Sequence, residues 1–309
     1  MTDSAKSIRR TAAGVHWREF AIEQMVRLLG LSAIALVALI FAFLLKEGTA
    51  TLREVPLSNL IDTKWYPTFG YYGLIPLVLG SLLVTAGAVV IAVPLGVGVA
   101  IYLGEIAPEP VREVLKPTIE VIAGIPSVVL GFIGILTFSP LIRHYLGAPT
   151  GLTAITGSFL LAYMALPTII SIAEDAMDAV PKDYRDAAYA LGATEWQTIW
   201  RVVLPAARSG ILIAVMLGVG RAIGETMTVM MVTGNAARIP TGLDAFLRPV
   251  RTMTATIAAE MGEVAQGSTH YHILFMVGIA LFVLTFLINA FAAVAVFRRE
   301  QRGGGRLLS

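Results

Sequence analysis

Six stretches of this chain are apolar over the length needed to cross a bilayer, and that pattern restricts the fold more than any other feature. They are Leu28–Leu45, Trp65–Gly104, Val121–Ile142, Gly151–Ala173, Ser209–Asn235 and Ile273–Phe297. Only Ser209–Asn235 carries charge, at Arg221 and Glu225. A segment in hydrocarbon must satisfy its own backbone hydrogen bonds, so runs of about 20 apolar residues predict helices. The expected fold is an all-α polytopic membrane bundle. The balance of residues agrees: 56% are hydrophobic and 14% charged, against about 25% charged in soluble domains. A water-soluble enzyme and a disordered chain are excluded. With no cysteine, thiolate nucleophiles, iron–sulfur clusters and zinc–thiolate sites are excluded as well. A net charge of +2 gives no bulk field for nucleic acid, and none is expected as a partner.

Trp65–Gly104 runs 40 residues without a charge and has room for one bent helix or two short ones. Basic residues accumulate on the cytoplasmic side of membrane proteins. Six spans with a cytoplasmic N-terminus place 15 Lys and Arg inside and 7 outside. Splitting the run makes seven spans and changes the count to 9 inside and 13 outside. The asymmetry selects six, with both termini in the cytoplasm. This reading makes 1–27 a cytoplasmic segment, 28–45 the first transmembrane helix and 298–309 a cytoplasmic tail. The second span becomes one helix over Tyr72–Gly104, bent near Pro94 and about 50 Å long at ~1.5 Å per residue. The first run is too long, and its flank with Glu19 and Glu23 too acidic, for a cleaved signal peptide.

Gly80, Gly87, Gly96, Gly98, Gly131, Gly134, Gly218, Gly220 and Gly224 lie within spans, where small residues mark close helix contacts. Pro76, Pro94, Pro126 and Pro167 kink helices and free carbonyls. Tight packing alone and a bundle that moves both accommodate this pattern.

The loop Glu174–Arg208 is the most informative segment. Pro181 suits a helix start, with Asp183 and Asp186 near its positive end. Gly192 suits a C-cap. Thr194 and Gln197 have capping-box spacing, so a second helix should begin at Glu195 and break at Pro205. An amphipathic loop and a DNA-binding helix-turn-helix are the competing readings. Tethering to two membrane spans, and acidic residues outnumbering basic ones, weigh against the latter. Asp186-Ala187-Ala188, three residues, Gly192, nine residues and Val202-Val203-Leu204-Pro205 resemble the E-A-A-x3-G-x9-I-x-L-P motif of ABC-importer permeases. Asp186 and Val202 depart conservatively from it. The resemblance implies a type I importer permease fold. Its coupling helix, carried here by Tyr184, Asp186, Ala187, Ala188, Gly192, Leu204 and Pro205, would dock in a cleft of a cytoplasmic ATPase.

Within the fifth span, Arg221 and Glu225 are four residues apart, one turn of an uninterrupted helix. An arginine at mid-bilayer costs about 2.5–3.5 kcal/mol on insertion scales, so it should face protein or water. One reading is an internal ion pair that fixes orientation. The other is that Arg221 meets an anionic substrate, since guanidinium can bind two phosphate oxygens at once. Gly218-x-Gly220 lacks a preceding strand and is no dinucleotide site; Gly220-x-x-x-Gly224 fits helix packing better. The block Gly220-Arg221-Ala222-Ile223-Gly224-Glu225-Thr226-Met227, followed by Gly234-Asn235, resembles the phosphate-specific (Pst) branch of these permeases. With Ala123-Gly124-Ile125-Pro126-Ser127 it is similar to the PstC rather than the PstA subunit family.

The likeness covers residues 70–297, the expected transport domain. It implies ATP-driven, binding-protein-dependent phosphate import, with Arg221, Glu225 and Thr226 on the substrate path or its gate. The implied partners are a PstA-like permease, two PstB-like ATPases, a PstS-like external phosphate-binding protein, inorganic phosphate and membrane lipid. The chain has no G-x-x-x-x-G-K-[ST], so it is not expected to be an enzyme or to hold a cofactor. The loop Ala236–His272, with Arg238, Arg248 and Arg251, is a candidate docking surface or simply solvated. His270 and His272 lack the neighbours that a metal would need. Transport of sulfate or molybdate by the same architecture is the alternative; an ion-driven secondary transporter fits the loop motif less well, and a membrane-embedded enzyme lacks a constellation.

Overall fold

Six helices among the described residues are long and apolar enough to cross a membrane. The structure, a computed structural model, describes residues 2–304. The side chains of Lys6, Arg9, Arg10, Arg18, Arg298, Arg299 and Arg302, and all of 305–309 with Arg306, lie outside the described residues. The spans are Glu19–Glu54, Ile75–Ile106, Ser127–Leu146, Ala154–Asp178, Glu195–Gly224 and Thr269–Phe291. The first belongs to a helix that begins at Thr2, and the last continues to Gly304.

The fourth span is the axis of the bundle, with 61% of its apolar window buried. Spans two, four and five share a core that includes Val84, Ala88, Ala92, Leu161, Ala165, Ile169 and Ala222. Glycines let these helices approach. A Cβ on Gly96 would lie 2.7 Å from Ile169, and one on Gly87 2.3 Å from Ser158. The first span has none of its window buried and packs along the sixth. There Phe41 meets Phe282 and Phe43 meets Phe275, with ring centres 4.9 and 5.5 Å apart.

The long apolar run does not split. Its first residues form a small hairpin, Trp65–Tyr66 paired with Tyr71–Tyr72, and the helix follows at Ile75. It continues past Pro94 to Ile101 and ends in a π-turn, Tyr102–Ile106. The third span differs from Val121–Ile142. A separate amphipathic helix, Glu109–Ala123, ends before Pro126, which sits outside the helix with ψ 136°. The span then runs from Ser127. The residue before a proline is pushed away from helical geometry, so Ile125-Pro126 interrupts the helix.

Pro205 causes no comparable break. Glu195–Gly224 is one span because Ile199–Val203 forms a π-turn. Among the described residues such turns occur three times, at Tyr102–Ile106, Gly134–Phe138 and Ile199–Val203, each two residues ahead of a proline: Pro108, Pro140 and Pro205. In an α-helix the ring of each proline would strike the carbonyl four residues back. That carbonyl lies inside the widened turn each time.

Candidate functional site

Span five stops at Gly224 because Glu225 turns extended, with φ −68° and ψ 132°. A short helix, Met227–Val232, restarts after Thr226. Glu225 Oε1 accepts the Thr228 amide at 3.1 Å, and its carbonyl accepts the Thr254 hydroxyl at 2.9 Å. The Thr228 hydroxyl donates to the Ser127 carbonyl at 2.9 Å, tying this restart to the start of span three. The Thr226 hydroxyl donates to the Gly224 carbonyl at 3.2 Å.

Arg221 Nη1 donates to Thr168 Oγ1 at 3.2 Å, and Nη2 to the Ala123 carbonyl at 3.3 Å. Among the described residues neither Arg221 nor Glu225 forms an ion pair, so the internal pair that was one of the two readings of their spacing is absent. The helix ends between them, and Glu225 caps the next one. Arg221 instead ties three elements together at the interruption beside Pro126 and at Thr168, which follows Pro167.

Its surroundings are open. Ile213 and Leu217, 47% and 51% exposed, line one stripe of span five with Arg221 and Gly224. Beyond the adjoining backbone of its own helix, no atom of this chain lies within 4 Å of a Cβ built on Gly98, Gly220 or Gly224. These three glycines form no close contact within the chain, unlike Gly80, Gly87, Gly96, Gly131, Gly134 and Gly218.

The elbow between spans four and five has the expected two helices. Lys182–Ala190 follows Pro181, which sits just before the helix as its N-cap. Gly192 turns the chain at φ 83°, and Thr194 with Gln197 forms a full capping box ahead of Glu195. Tyr184, Ala187 and Leu191 fall on one face, all exposed, with Leu191 at 89%. Asp186, Gly192 and Pro205 are exposed as well, whereas Ala188 is buried and Leu204 partly so. Trp196, beyond the Gly192 turn, is exposed too, and neither it nor Leu191 was picked out by the motif.

A charged cluster near the elbow escaped the sequence reading. Glu174 is fully buried at the end of span four. Arg112 Nη2 lies 2.8 Å from its Oε1, and Lys116 Nζ 3.1 Å from its Oε2. Arg112 also meets Asp178, and Lys116 meets Asp175 at 3.2 Å. Burial works to lower the pKa of both bases. Asp178 and Glu174 outweigh it for Arg112, and Glu174 and Asp175 for Lys116, leaving both above their ordinary values. The i, i+4 spacing of Arg112 and Lys116 on an amphipathic helix was the available signal. Arg185 makes a second set of contacts, donating from Nη2 and Nε to Glu105 at 2.6 and 3.3 Å. The hydrogen bond to Glu105, opposed by burial, raises its pKa.

At the opposite end, Glu260 accepts Arg251 at 2.5 Å and Trp65 Nε1 at 3.2 Å, and contacts His270 Nε2 at 2.8 Å. His272 Nδ1 lies 2.9 Å from Glu54. The two histidines thus face different carboxylates, and no group of three metal-binding side chains occurs among the described residues. Of the loop arginines, Arg248 pairs with Asp244 and Arg251 with Glu260, while Arg238 is exposed at a cavity of about 490 Å³ that Trp65 and Asn235 also line.

Residues 92–301 match the family of binding-protein-dependent transport system inner membrane components. The chain is 39% identical to the phosphate transport system permease protein PstC of Mesorhizobium japonicum, over 80% of each chain. The chain belongs to the PstC-like permeases. It is also 42% identical to the probable ABC transporter permease protein YqgH of Bacillus subtilis, over 75% of each. The fold of this permease matches the methionine ABC transporter MetNI in an inward-facing conformation, with TM-score 0.57 and 21% identity over 76% of this chain and 99% of that one. The permease is therefore a multi-pass inner-membrane protein with the type I importer fold.

Proposed function

We propose that this permease is one of two membrane subunits of an ATP-driven, binding-protein-dependent phosphate importer. ATP hydrolysis is supplied by a separate subunit seated on the elbow 174–208, within the transport domain 70–297. The observation that carries the reading is the position of Arg221: a guanidinium on an otherwise apolar, open stripe of span five, beside a helix break. Of its five N–H donors, two are engaged by Thr168 and Ala123. The rest are available to an oxyanion, and Glu225 does not neutralise the charge.

An exposed arginine among lipid tails is costly. A second permease covering Ile213, Leu217, Gly220 and Gly224 removes that cost and completes a polar path. The names of the PstC relatives supply phosphate as the solute. The excess of Lys and Arg in the sequence on the elbow's side supports a cytoplasmic position for that end and for both termini. The opposite end, with Arg238 and its cavity, then meets the phosphate-loaded binding protein. Glu225 and Thr226 hold the break at which the path opens and closes.

The test is uptake by the complex purified from its native membrane and reconstituted in vesicles. Labelled phosphate should enter in an ATP-dependent manner, and Arg221→Gln should abolish entry while leaving the complex assembled. Entry of sulfate or molybdate in place of phosphate, or undiminished uptake by Arg221→Gln, would overturn the assignment.

A further inference from the structure

We infer that Arg185 and Glu105 form the joint that makes span two move with the elbow; the inference rests on the proposed seating of an ATPase there. Arg185 immediately precedes Asp186-Ala187-Ala188 on the helix Lys182–Ala190. Its side chain is only 18% exposed and that of Glu105 8%. It grips both oxygens of Glu105, at 2.6 and 3.3 Å. The same group donates from Nη1 to the Val180 carbonyl at 2.7 Å and from Nη2 to the Met177 carbonyl at 3.0 Å. Met177 stands in the last turn of span four and Val180 just past its end, where the helix dipole favours a cation.

One side chain thus binds three pieces: the elbow, the end of span four and the end of span two. The elbow is joined covalently to spans four and five, but not to span two. Within its own helix Ala188 is the one buried residue among those described. Glu105 itself stands in the π-turn Tyr102–Ile106, and the elbow enters span five through the π-turn Ile199–Val203. Such turns are deformable points in a helix and are frequent at functional sites. A bidentate arginine–carboxylate pair is directional and resists shear. A displacement of the elbow therefore reaches span two through Arg185, and the core shared by spans two, four and five shifts as one body.

Arg185 and Glu105 are positioning residues: neither lies near Arg221's partners or on the exposed face of Tyr184, Ala187 and Leu191. Glu105→Ala should assemble and hydrolyse ATP at the basal rate, while phosphate moved per ATP falls at least about fivefold, the lower end of a typical coupling effect. A purely structural role would lower the melting temperature and yield without changing phosphate moved per ATP.

The absence of cysteine allows a second measurement. In the double variant Glu105→Cys with Arg185→Cys, bis-methanethiosulfonate reagents of graded length should restore transport per ATP at one length, and reductant should abolish it again. An unchanged ratio in Glu105→Ala, or a bridged double variant that stays uncoupled at every length, overturns the joint. If Glu105→Ala does not assemble, the reducible bridge decides on a single sample. The unmodified complex is run alongside. Should it fail to import phosphate with ATP, the proposed function fails, whereas a working complex with an indifferent Glu105→Ala removes only the joint.

Discussion

Ile169 of span four occupies the space that a side chain on Gly218 of span five would need: an added Cβ would lie 2.4 Å from its Cγ1. On the other side, a Cβ on Gly96 of span two would lie 2.7 Å from Cγ2 of the same residue. Ile169 is 1% exposed and held from both flanks. Gly218→Ala should therefore destabilise the bundle by about 1–3 kcal/mol, the usual cost of overpacking. Ile169→Ala should be destabilising alone, yet recover part of the loss when combined with Gly218→Ala. Thermal unfolding in detergent across this double-mutant cycle measures the coupling. Additive effects would show that the two residues do not compete for space.

Arg221 and Glu225 serve different partners, so exchanging their charges should not restore transport. Arg221→Glu and Glu225→Arg each should reduce phosphate uptake to background, and the double exchange should do the same. The exchanged arginine would sit where Glu225 caps the Thr228 amide, and the exchanged glutamate beside the Ala123 carbonyl. Recovery of uptake in the double exchange would mean that the two pair at some stage of transport.

Gly192 has a left-handed backbone with φ 83° and, apart from its chain neighbours, no atom within 4 Å of its missing Cβ. The requirement at this turn is conformational, costing about 1–2 kcal/mol for most residues but little for asparagine. Gly192→Val should weaken ATPase binding and lower uptake, and Gly192→Asn should stay close to the parent protein. Co-purification of the ATPase with each variant checks this. Equal loss from both would point to crowding by the docked partner.

The amphipathic helix Glu109–Ala123 should detach at alkaline pH. The pKa of Lys116 is raised in the folded protein by Glu174 and Asp175 despite burial. A raised pKa means that its contribution is fully present below the unfolded value, about 10.4, and fades as pH climbs through the higher folded value. Hydrogen exchange of residues 109–123 should show this release in the parent protein. Lys116→Arg, which stays charged, should shift it to higher pH. An identical profile for both proteins would show that Lys116 does not hold the helix.

Much of this architecture was legible from residue order alone. Charge-free runs and the asymmetry of Lys and Arg specify six spans, because hydrocarbon tolerates neither unpaired backbone nor bare charge. The turn at Gly192 and the cap at Thr194 are local and depend on residues within a few positions of one another. The resemblance carried by Asp186–Pro205 and Gly220–Thr226 located the candidate site.

Tertiary structure decided the rest. Spacing placed Glu225 under Arg221 only on the assumption of a continuous helix. Contacts from Thr254 and Ser127, remote in sequence, surround the break between them. Pro126 ended a helix and Pro205 did not, since a proline's effect depends on whether the preceding turn can widen to clear a carbonyl. The groupings of Glu174 with Arg112 and Lys116, and of Arg185 with Glu105, join residues 58 to 80 positions apart. Local periodicity carries no information about which charged ends meet; packing of the spans sets that, by bringing their termini to one end of the bundle.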